Sequence, residues 1–341
     1  MYLCLMILVT GGTGLLGAHL LLELTRHGHH VKALRREGSG LHVMESVFAT
    51  ANDHASLQSM IEWVEGDILD VESLIMAMAD VEQVYHCAAL VSFAAEDKKR
   101  LMQINVEGTA NMVNAALITG IRHFVYVSSI ATLGSSINGE PVSEGAPWDT
   151  LPKGSVYGLS KHAAEREVWR AMAEGLQAVI INPSVILGPG DWSKGSSELF
   201  TAVWNGLKYT TTGVNGYVDV RDVARAMVGL ANARVVNERF VVNGANVSYK
   251  DLFEAIAQGL GKPAPKKIAS PVAGELAWRL FAVLSLFTGK KPLITKETAR
   301  AAQKRYSYSS QSLIQQIGFT FTPFRETISY VSNRFLIENH Q

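Results

Sequence analysis

The sequence predicts an α/β fold: a doubly wound parallel sheet followed by a smaller, mostly helical C-terminal lobe. Three observations carry this reading. An apolar run, Leu3 to Leu8, leads through Val9-Thr10-Gly11-Gly12-Thr13-Gly14-Leu15-Leu16-Gly17 into a helix-like stretch, Ala18 to Arg26. Short apolar strands then alternate with helical stretches as far as Asn182, the rhythm of βαβ units. After Tyr249 that rhythm stops and helices dominate. The 341 residues suffice for one large core with a second lobe. The expected division is 1–184 with 214–244 for the sheet domain, and 185–213 with 245–341 for the lobe.

Taken in order, the first helix is followed by a strand, Val31-Lys32-Ala33-Leu34, that ends in Arg35-Arg36. Leu41 to Leu57 is weakly patterned and reads as loop with one short helix. Trp63 to Asp67 is the third strand, Val71 to Ala79 a helix, and Val84 to Ala89 the fourth strand. Val91 to Asp97 is a loop. A long helix, Lys99 to Thr119, carries Asn105 in its middle, and His123 to Ser129 is the fifth strand. Ile137 to Gly154, rich in Gly, Pro, Ser and acidic residues, is a loop. A helix then runs from Ser155 to about Glu174, and Gln177 to Asn182 is the sixth strand, ending at Pro183. Gly188 to Ser197 reads as a mobile loop. Two short strands, Val218 to Val220 and Phe240 to Asn243, flank a helix from Asp222 to Ala231.

Composition excludes several functions. The chain has 31 basic and 31 acidic residues, so neither nucleic acid nor an anionic membrane is indicated as the main partner. Cys4 and Cys87 are its two cysteines and read as reduced core thiols, which suits a cytoplasmic protein; no metal site is indicated. The apolar start lacks the basic flank and cleavage site of a signal peptide. The apolar helix expected over Val272 to Phe287 contains Glu275 and Arg279 and is too short and too charged to span a bilayer comfortably; it reads as a pocket wall or part of an oligomer contact, with a membrane-surface role the lesser alternative. His27, His29 and His30 read as surface residues of a turn.

The glycine string has a chemical meaning. Glycines let the backbone turn sharply and approach a pyrophosphate, and the helix N-terminus behind them offers free N–H groups. Two registers fit, Gly12-x-Gly14-x-x-Gly17 and Gly11-x-x-Gly14-x-x-Gly17. The end of the second strand lies near the adenosine ribose in such folds. An acid there would suit NAD, whereas Arg35 and Arg36 suit the 2′-phosphate of NADP. Farther on, Tyr157 and Lys161 stand at i and i+4 on one helix face. A nearby ammonium is expected to lower the phenol pKa and make it a proton shuttle. Ser129, at the end of the fifth strand, would hold the same substrate oxygen, and Lys161 could also hold ribose hydroxyls.

In this order and spacing the residues resemble the extended short-chain dehydrogenase/reductase family. The motifs are Thr10-Gly11-x-x-Gly14-x-x-Gly17, Gly66-Asp67, His86-Cys87-Ala88-Ala89, Asn105-Val106-x-Gly108-Thr109, Ser128-Ser129, Tyr157-x-x-x-Lys161 and Asn182-Pro183-Ser184. The resemblance implies that Ser129, Tyr157 and Lys161 are catalytic. It implies cofactor contacts from Gly11, Gly14, Leu15, Leu16 and Gly17, from Asp67 and Ile68 beside the adenine, from Ala88 and Ala89 near ribose and phosphates, from Asn105, and from Pro183 and Val185 at the nicotinamide. Asp222 matches a position that supports the fold. The second strand is similar to that of dihydroflavonol reductases and their relatives, with the 3β-hydroxysteroid dehydrogenase branch also close.

The resemblance therefore implies an NADP(H)-preferring oxidoreductase that reduces a ketone or aldehyde of a small, fairly apolar molecule. Dehydratases carry an acid pair after the catalytic Ser/Thr, where this chain has Ile130-Ala131. Nucleotide-sugar epimerases carry an arginine before the Val218 strand, where this chain has Thr212 to Tyr217, although Arg305 could serve a diphosphate. An epimerase remains the alternative, and a non-catalytic NAD(P)-binding regulator the second alternative. A homodimer is implied through the helices Lys99–Thr119 and Ser155–Glu174, with Met102, Met112, Val113, Val168 and Met172 available unless they face the sheet.

Overall fold

The computed structural model describes residues 6–134, 136, 139–146, 155–270, 272, 274–276, 278, 279 and 296–339. The strands are β1 Ile7–Thr10, β2 Val31–Arg35, β3 Ile61–Glu65, β4 Gln83–His86, β5 His123–Val127, β6 Ala178–Pro183, β7 Val185–Leu187, β8 Tyr209–Thr210, β9 Val214–Asp219, β10 Glu238–Val242, β11 Ala245–Ser248 and β12 Lys267–Ile268. Seven form the main sheet in the order β10-β6-β5-β4-β1-β2-β3, and every neighbouring pair is parallel. β1 lies between β2 and β4, so the strand order reverses at its carboxyl end, where such sheets bind ligands.

Alternation along the strands makes two cores. Ile7 and Val9 of β1 face the helices Leu15–Arg26 and Val220–Asn232. Leu8, with Val84, Phe124 and Tyr126, faces Val71–Ala77, Gly108–Thr119 and Val156–Ala173. Burying each large side chain stabilises by about 1.5–3 kcal/mol, so both faces are strongly specified. The lobe has its own core, in which Tyr249–Leu260 packs on Phe324–Asn339 through Leu252, Ile256, Val331 and Phe335.

Several boundaries differ from expectation. β1 extends through Thr10, because pairing with both neighbours carries the ladder to the glycine turn. The first helix begins at Leu15 instead of Ala18. β3, β4 and β5 stop short of Asp67, Ala89 and Ser129, leaving those residues in loops above the sheet. Two helices, His42–Phe48 and His54–Gln58, occupy the weakly patterned stretch. The long helix is interrupted by a π-helical segment, Met102–Glu107, around Asn105, a distortion frequent at functional sites. The sequence reading omits β7, β8, β11 and β12 and shortens β9.

Met112, Val113 and Val168 are fully buried in the second core, which removes them from a contact between two chains, and Met172 is partly buried against the same core. Met102, Ile118, Leu159 and Trp169 are the exposed apolar residues of these two helices. The loop from Gly188 to Ser197 is pinned: Trp192 Nε1 donates to Glu338 at 2.8 Å, and its ring meets Phe335 edge-on. Asp222 is fully buried and accepts from Thr322 N and Oγ1, both at 2.7 Å, which ties its helix to the C-terminal segment. Cys87 is a free thiol, pushed up to about 12 by burial and thereby kept protonated. Cys4 and most of Ile137–Gly154 and Val272–Phe287 lie outside the described residues. Among the described residues, no helix is long and apolar enough to cross a membrane.

Candidate active site

The glycine turn sits at the strand reversal. Gly11 has φ +73°, and a Cβ there would lie 2.8 Å from Ala88 N. A Cβ on Gly17 would lie 2.1 Å from the Gly11 carbonyl oxygen. The turn closes through Gly14 N donating to Gly11 O at 3.0 Å. A Cβ on Gly12 would crowd the end of the Leu21 side chain and touch Trp63 and Ala33 at ordinary contact, with no backbone atom in the way, so Gly11, Gly14 and Gly17 are the register that shapes the backbone. Gly14 caps the helix with no side-chain hydrogen bond, which leaves the first helical N–H groups, starting at Leu15 and Leu16, without an internal partner. This open cradle fits a dinucleotide pyrophosphate.

Thr10 braces the cradle. Its hydroxyl hydrogen-bonds His86 Nδ1 at 2.7 Å and accepts from Ala88 N at 3.1 Å, and His86 Nε2 reaches Thr109 at 3.2 Å. Burial holds His86 down at about 3, so its ring is neutral. Ala89 follows at the exposed edge. At the ends of β2 and β3, Gly66 N donates to Arg35 O at 3.0 Å, bringing Arg35 and Arg36 beside Asp67. The Arg35 guanidinium lies 5.6 Å over the Trp63 ring, whereas Arg36 is exposed. Ile68 packs against Gly108, and its carbonyl accepts from Asn111. Asn105 is buried, accepts from Leu90 N at 2.8 Å and donates to Ser160 Oγ at 3.0 Å, locking the loop after β4 to the helix that carries Lys161.

Val156–Ala173 is capped by Ser155, whose hydroxyl accepts from Gly158 N at 2.9 Å. Its first turn brings Tyr157 to Ser129, beyond β5. Burial raises the Tyr157 phenol, and the Ser129 hydroxyl, hydrogen-bonding to it, works the other way. This corrects the expectation that Lys161 lowers the phenol. Lys161 Nζ donates instead to Val127 O at 2.7 Å and lies 4.5 Å over the Tyr126 ring. Burial draws the Lys161 ammonium down to about 7, opposed by Glu165 and Cys87. Phe93 meets Tyr157 edge-on at 5.6 Å, and Tyr306 packs in a cluster with Ile130, Leu133 and Tyr308. Pro183 ends β6 and Val185 opens β7, at the same carboxyl edge.

Glu165 is the residue that sequence reasoning missed. Its buried carboxylate accepts from Ser128 Oγ at 2.6 Å, Thr132 Oγ1 at 2.9 Å, Asn182 Nδ2 at 3.1 Å and Arg239 at 3.0 Å. Those bonds outweigh the burial that favours its neutral form and hold it below the usual carboxylate range. Asn182 also donates to Ser129 O at 3.1 Å. The network thus fixes the backbone under Ser129 and places a negative charge one helical turn beyond Lys161. The available signal was its place in the series Tyr157, Lys161, Glu165 on one helix face.

Fold and site together define an NAD(P)-dependent short-chain dehydrogenase/reductase of the extended type. The chain belongs to the NAD dependent epimerase/dehydratase family, whose model matches residues 7–243. It is similar to a Synechocystis sp. protein named as a dihydroflavonol 4-reductase, 28% identical over 97% of this chain and 94% of that one. It is also similar to cinnamoyl-CoA reductase 1 of Oryza sativa subsp. japonica, 26% identical over 95% and 88%. Among solved structures, that of gox2253 superposes with a TM-score of 0.80 at 27% identity, covering 98% of this chain and 99% of that one. The fold is shared with the UDP-glucose 4-epimerase of Thermus thermophilus in complex with NAD, at TM-score 0.72 and 22% identity over 97% and 99%.

Proposed function

We propose that the protein is an NADP(H)-preferring reductase of a ketone or aldehyde on a small, fairly apolar molecule. The observation that carries this reading is the pairing of the Ser129 and Tyr157 hydroxyls, with Phe93 edge-on to the Tyr157 ring and Ile130, next to Ser129 in the chain, in the apolar cluster that includes Tyr306. Two hydroxyls can bind one carbonyl oxygen, and apolar walls exclude water from it. The cofactor, bound on the Gly11–Gly17 cradle, supplies the hydride. Ser129 holds and polarises the substrate oxygen, and Tyr157 gives it the proton. Lys161 holds ribose hydroxyls, and Glu165 keeps Ser129 and Lys161 in place. NADPH deuterated at the transferable position, incubated with a carbonyl panel, tests this: deuterium should appear on the carbinol carbon of the product alcohol. No transfer to any member of the panel would count against it.

Arg305 favours a second reading, a nucleotide-sugar epimerase. Its backbone pairs with Val214 of β9, and its exposed side chain forms no ion pair with a described residue, so it is available to a diphosphate.

NADPH should bind at least about tenfold more tightly than NADH, because a charge-assisted bond to the 2′-phosphate is worth about 1.5–3 kcal/mol. Arg36, exposed where Arg35 is engaged with Trp63, should provide most of it. Titration of Arg36→Ala with both cofactors should show the preference collapsing; equal affinities in the unaltered protein would refute it.

Cofactor affinity should also depend on pH through Lys161. Its ionisable neighbours are Glu165, Cys87, His86 and Tyr126, with Tyr157 one turn earlier on its own helix. Ribose hydroxyls and the anionic dinucleotide favour the ammonium, so binding raises its pKa. Affinity is therefore greatest below about pH 7 and falls as pH rises through 7 toward the bound-state value. The Lys161→Met variant should lose that slope. A flat profile, or one shared by Lys161→Met, would contradict the assignment.

A homodimer through Met102, Ile118, Leu159 and Trp169 completes the proposal. Sedimentation velocity at micromolar concentration should show two chains per particle, and a single chain would exclude it.

A further inference from the structure

Arg239 does more than neutralise Glu165. It stands on β10, the strand at one edge of the main sheet, and its side chain is only 22% exposed. One arm of the guanidinium, Nη1, donates to Glu165 Oε1 at 3.0 Å. The other, Nη2, donates to the backbone carbonyl of Glu144. The fork is planar and rigid, so its two arms move together. Whatever holds the Glu144 carbonyl therefore also constrains the Glu165 carboxylate.

Glu144 is held from the C-terminal side of the chain. Its carboxylate accepts from Val241 N at 2.8 Å and from Ser312 Oγ at 2.9 Å. The first bond satisfies an N–H of the edge strand that no neighbouring strand takes. The second reaches the opening turn of the helix Gln311–Ile317. Two residues before Glu144, Val142 bridges to Tyr308: Val142 N donates to Ser307 O at 2.8 Å, and Ser309 N donates to Val142 O at 2.9 Å. Toward the site, the two oxygens of Glu165 face different partners. Oε1 takes Arg239, while Oε2 takes Ser128, Thr132 and Asn182. Asn182 in turn donates to the Ser129 carbonyl at 3.1 Å.

We propose that Arg239 is a positioning residue, which carries the seating of segment 142–146 on segment 307–312 to the backbone at Ser129. This role rests on the reaction proposed above, in which Ser129 holds the substrate oxygen. The donors on Glu165 Oε2 set Ser129, the guanidinium fork sets Glu165, and Glu144 sets the fork. Loosening Ser312 should therefore loosen Ser129. The Gly11–Gly17 cradle stands at β1, separated from β10 by β6, β5 and β4, so cofactor affinity should be left alone.

Hydrogen exchange of the full-length protein, read by peptide mass spectrometry without substrate, tests the linkage. Ser312→Ala should speed exchange in segment 142–146. Through Arg239 it should also speed exchange in segment 128–133, by about three- to tenfold, the equivalent of one hydrogen bond. In Arg239→Met both segments should exchange at least about tenfold faster, and adding Ser312→Ala should change 128–133 no further. Arg239→Lys keeps a charge opposite Glu165 but has no fork, and it takes the place of Arg239→Met if that variant does not fold. Carbonyl turnover should fall about 10- to 100-fold in Arg239→Met while NADPH affinity is kept. Exchange at 128–133 unmoved by Ser312→Ala, or moved equally with and without Arg239, would overturn the linkage. Unchanged turnover in Arg239→Met, where the unaltered protein reduces a carbonyl compound, would overturn the positioning role. Absence of reduction by the unaltered protein would instead overturn the reaction on which that role rests.

Discussion

Tyr157→Phe is expected to cost about 10²–10⁴ in turnover, the range for loss of a positioned proton donor, while cofactor affinity barely changes. The buried ring packs edge-on against Phe93 at 5.6 Å, and phenylalanine keeps that contact. What disappears is the hydroxyl beside Ser129. Lys161 does not depend on it, because its ammonium is held by the Val127 carbonyl and the Tyr126 face. Burial already keeps the phenol protonated, the form that reduction needs. The reductive rate should therefore fall only on the alkaline side, as pH rises through the phenol pKa. Alcohol oxidation needs the phenolate and should rise over the same range. Steady-state kinetics on the purified variant decides the matter. Turnover close to that of the unaltered enzyme would move the proton donor to Ser129 or to water.

Gly17→Ala should abolish measurable cofactor binding and destabilise the fold. Its new Cβ would lie 2.1 Å from the Gly11 carbonyl oxygen and 2.9 Å from Gly12 Cα, both rigid backbone. Overpacking of this kind costs about 1–3 kcal/mol, sometimes more. Relief requires the helix Leu15–Arg26 to move away from the turn and take its free N–H groups with it. Gly12→Ala is the matched control, because its Cβ crowds only the flexible end of Leu21 and otherwise makes ordinary contact with Trp63 and Ala33. Thermal denaturation and NADPH titration of the two variants should separate them widely. Equal losses would show that the turn geometry is not what binds the cofactor.

The sheet was legible because its signals are local. β1, β2, β4, β5 and β6 are short apolar runs, and both faces of a parallel sheet are buried. The same locality explains what was missed. β9 and β11 contain Asn215, Gly216 and Asn246, poor strand formers, and they exist because they pair with each other, with β7 and with the segment around Arg305. Glu165 reads as a surface glutamate on a helix until Arg239, 74 residues away, comes to its carboxylate. The i, i+4 spacing put Tyr157 and Lys161 on one face but did not say where the ammonium points. The Val127 carbonyl decides that. The glycine string allowed two registers, and only the approach of Gly17 to Gly11 chose between them.

The central claim is net reduction of a carbonyl at Ser129 and Tyr157. Its most direct test is the stoichiometry of cofactor and product. Purified enzyme, NADPH and an apolar ketone or aldehyde found by screening should give one NADPH oxidised per alcohol formed, and Tyr157→Phe should slow both by about 10²–10⁴. Conversion of a nucleotide sugar to its epimer with no net change in cofactor, and no NADPH oxidation with any carbonyl compound, would contradict the account.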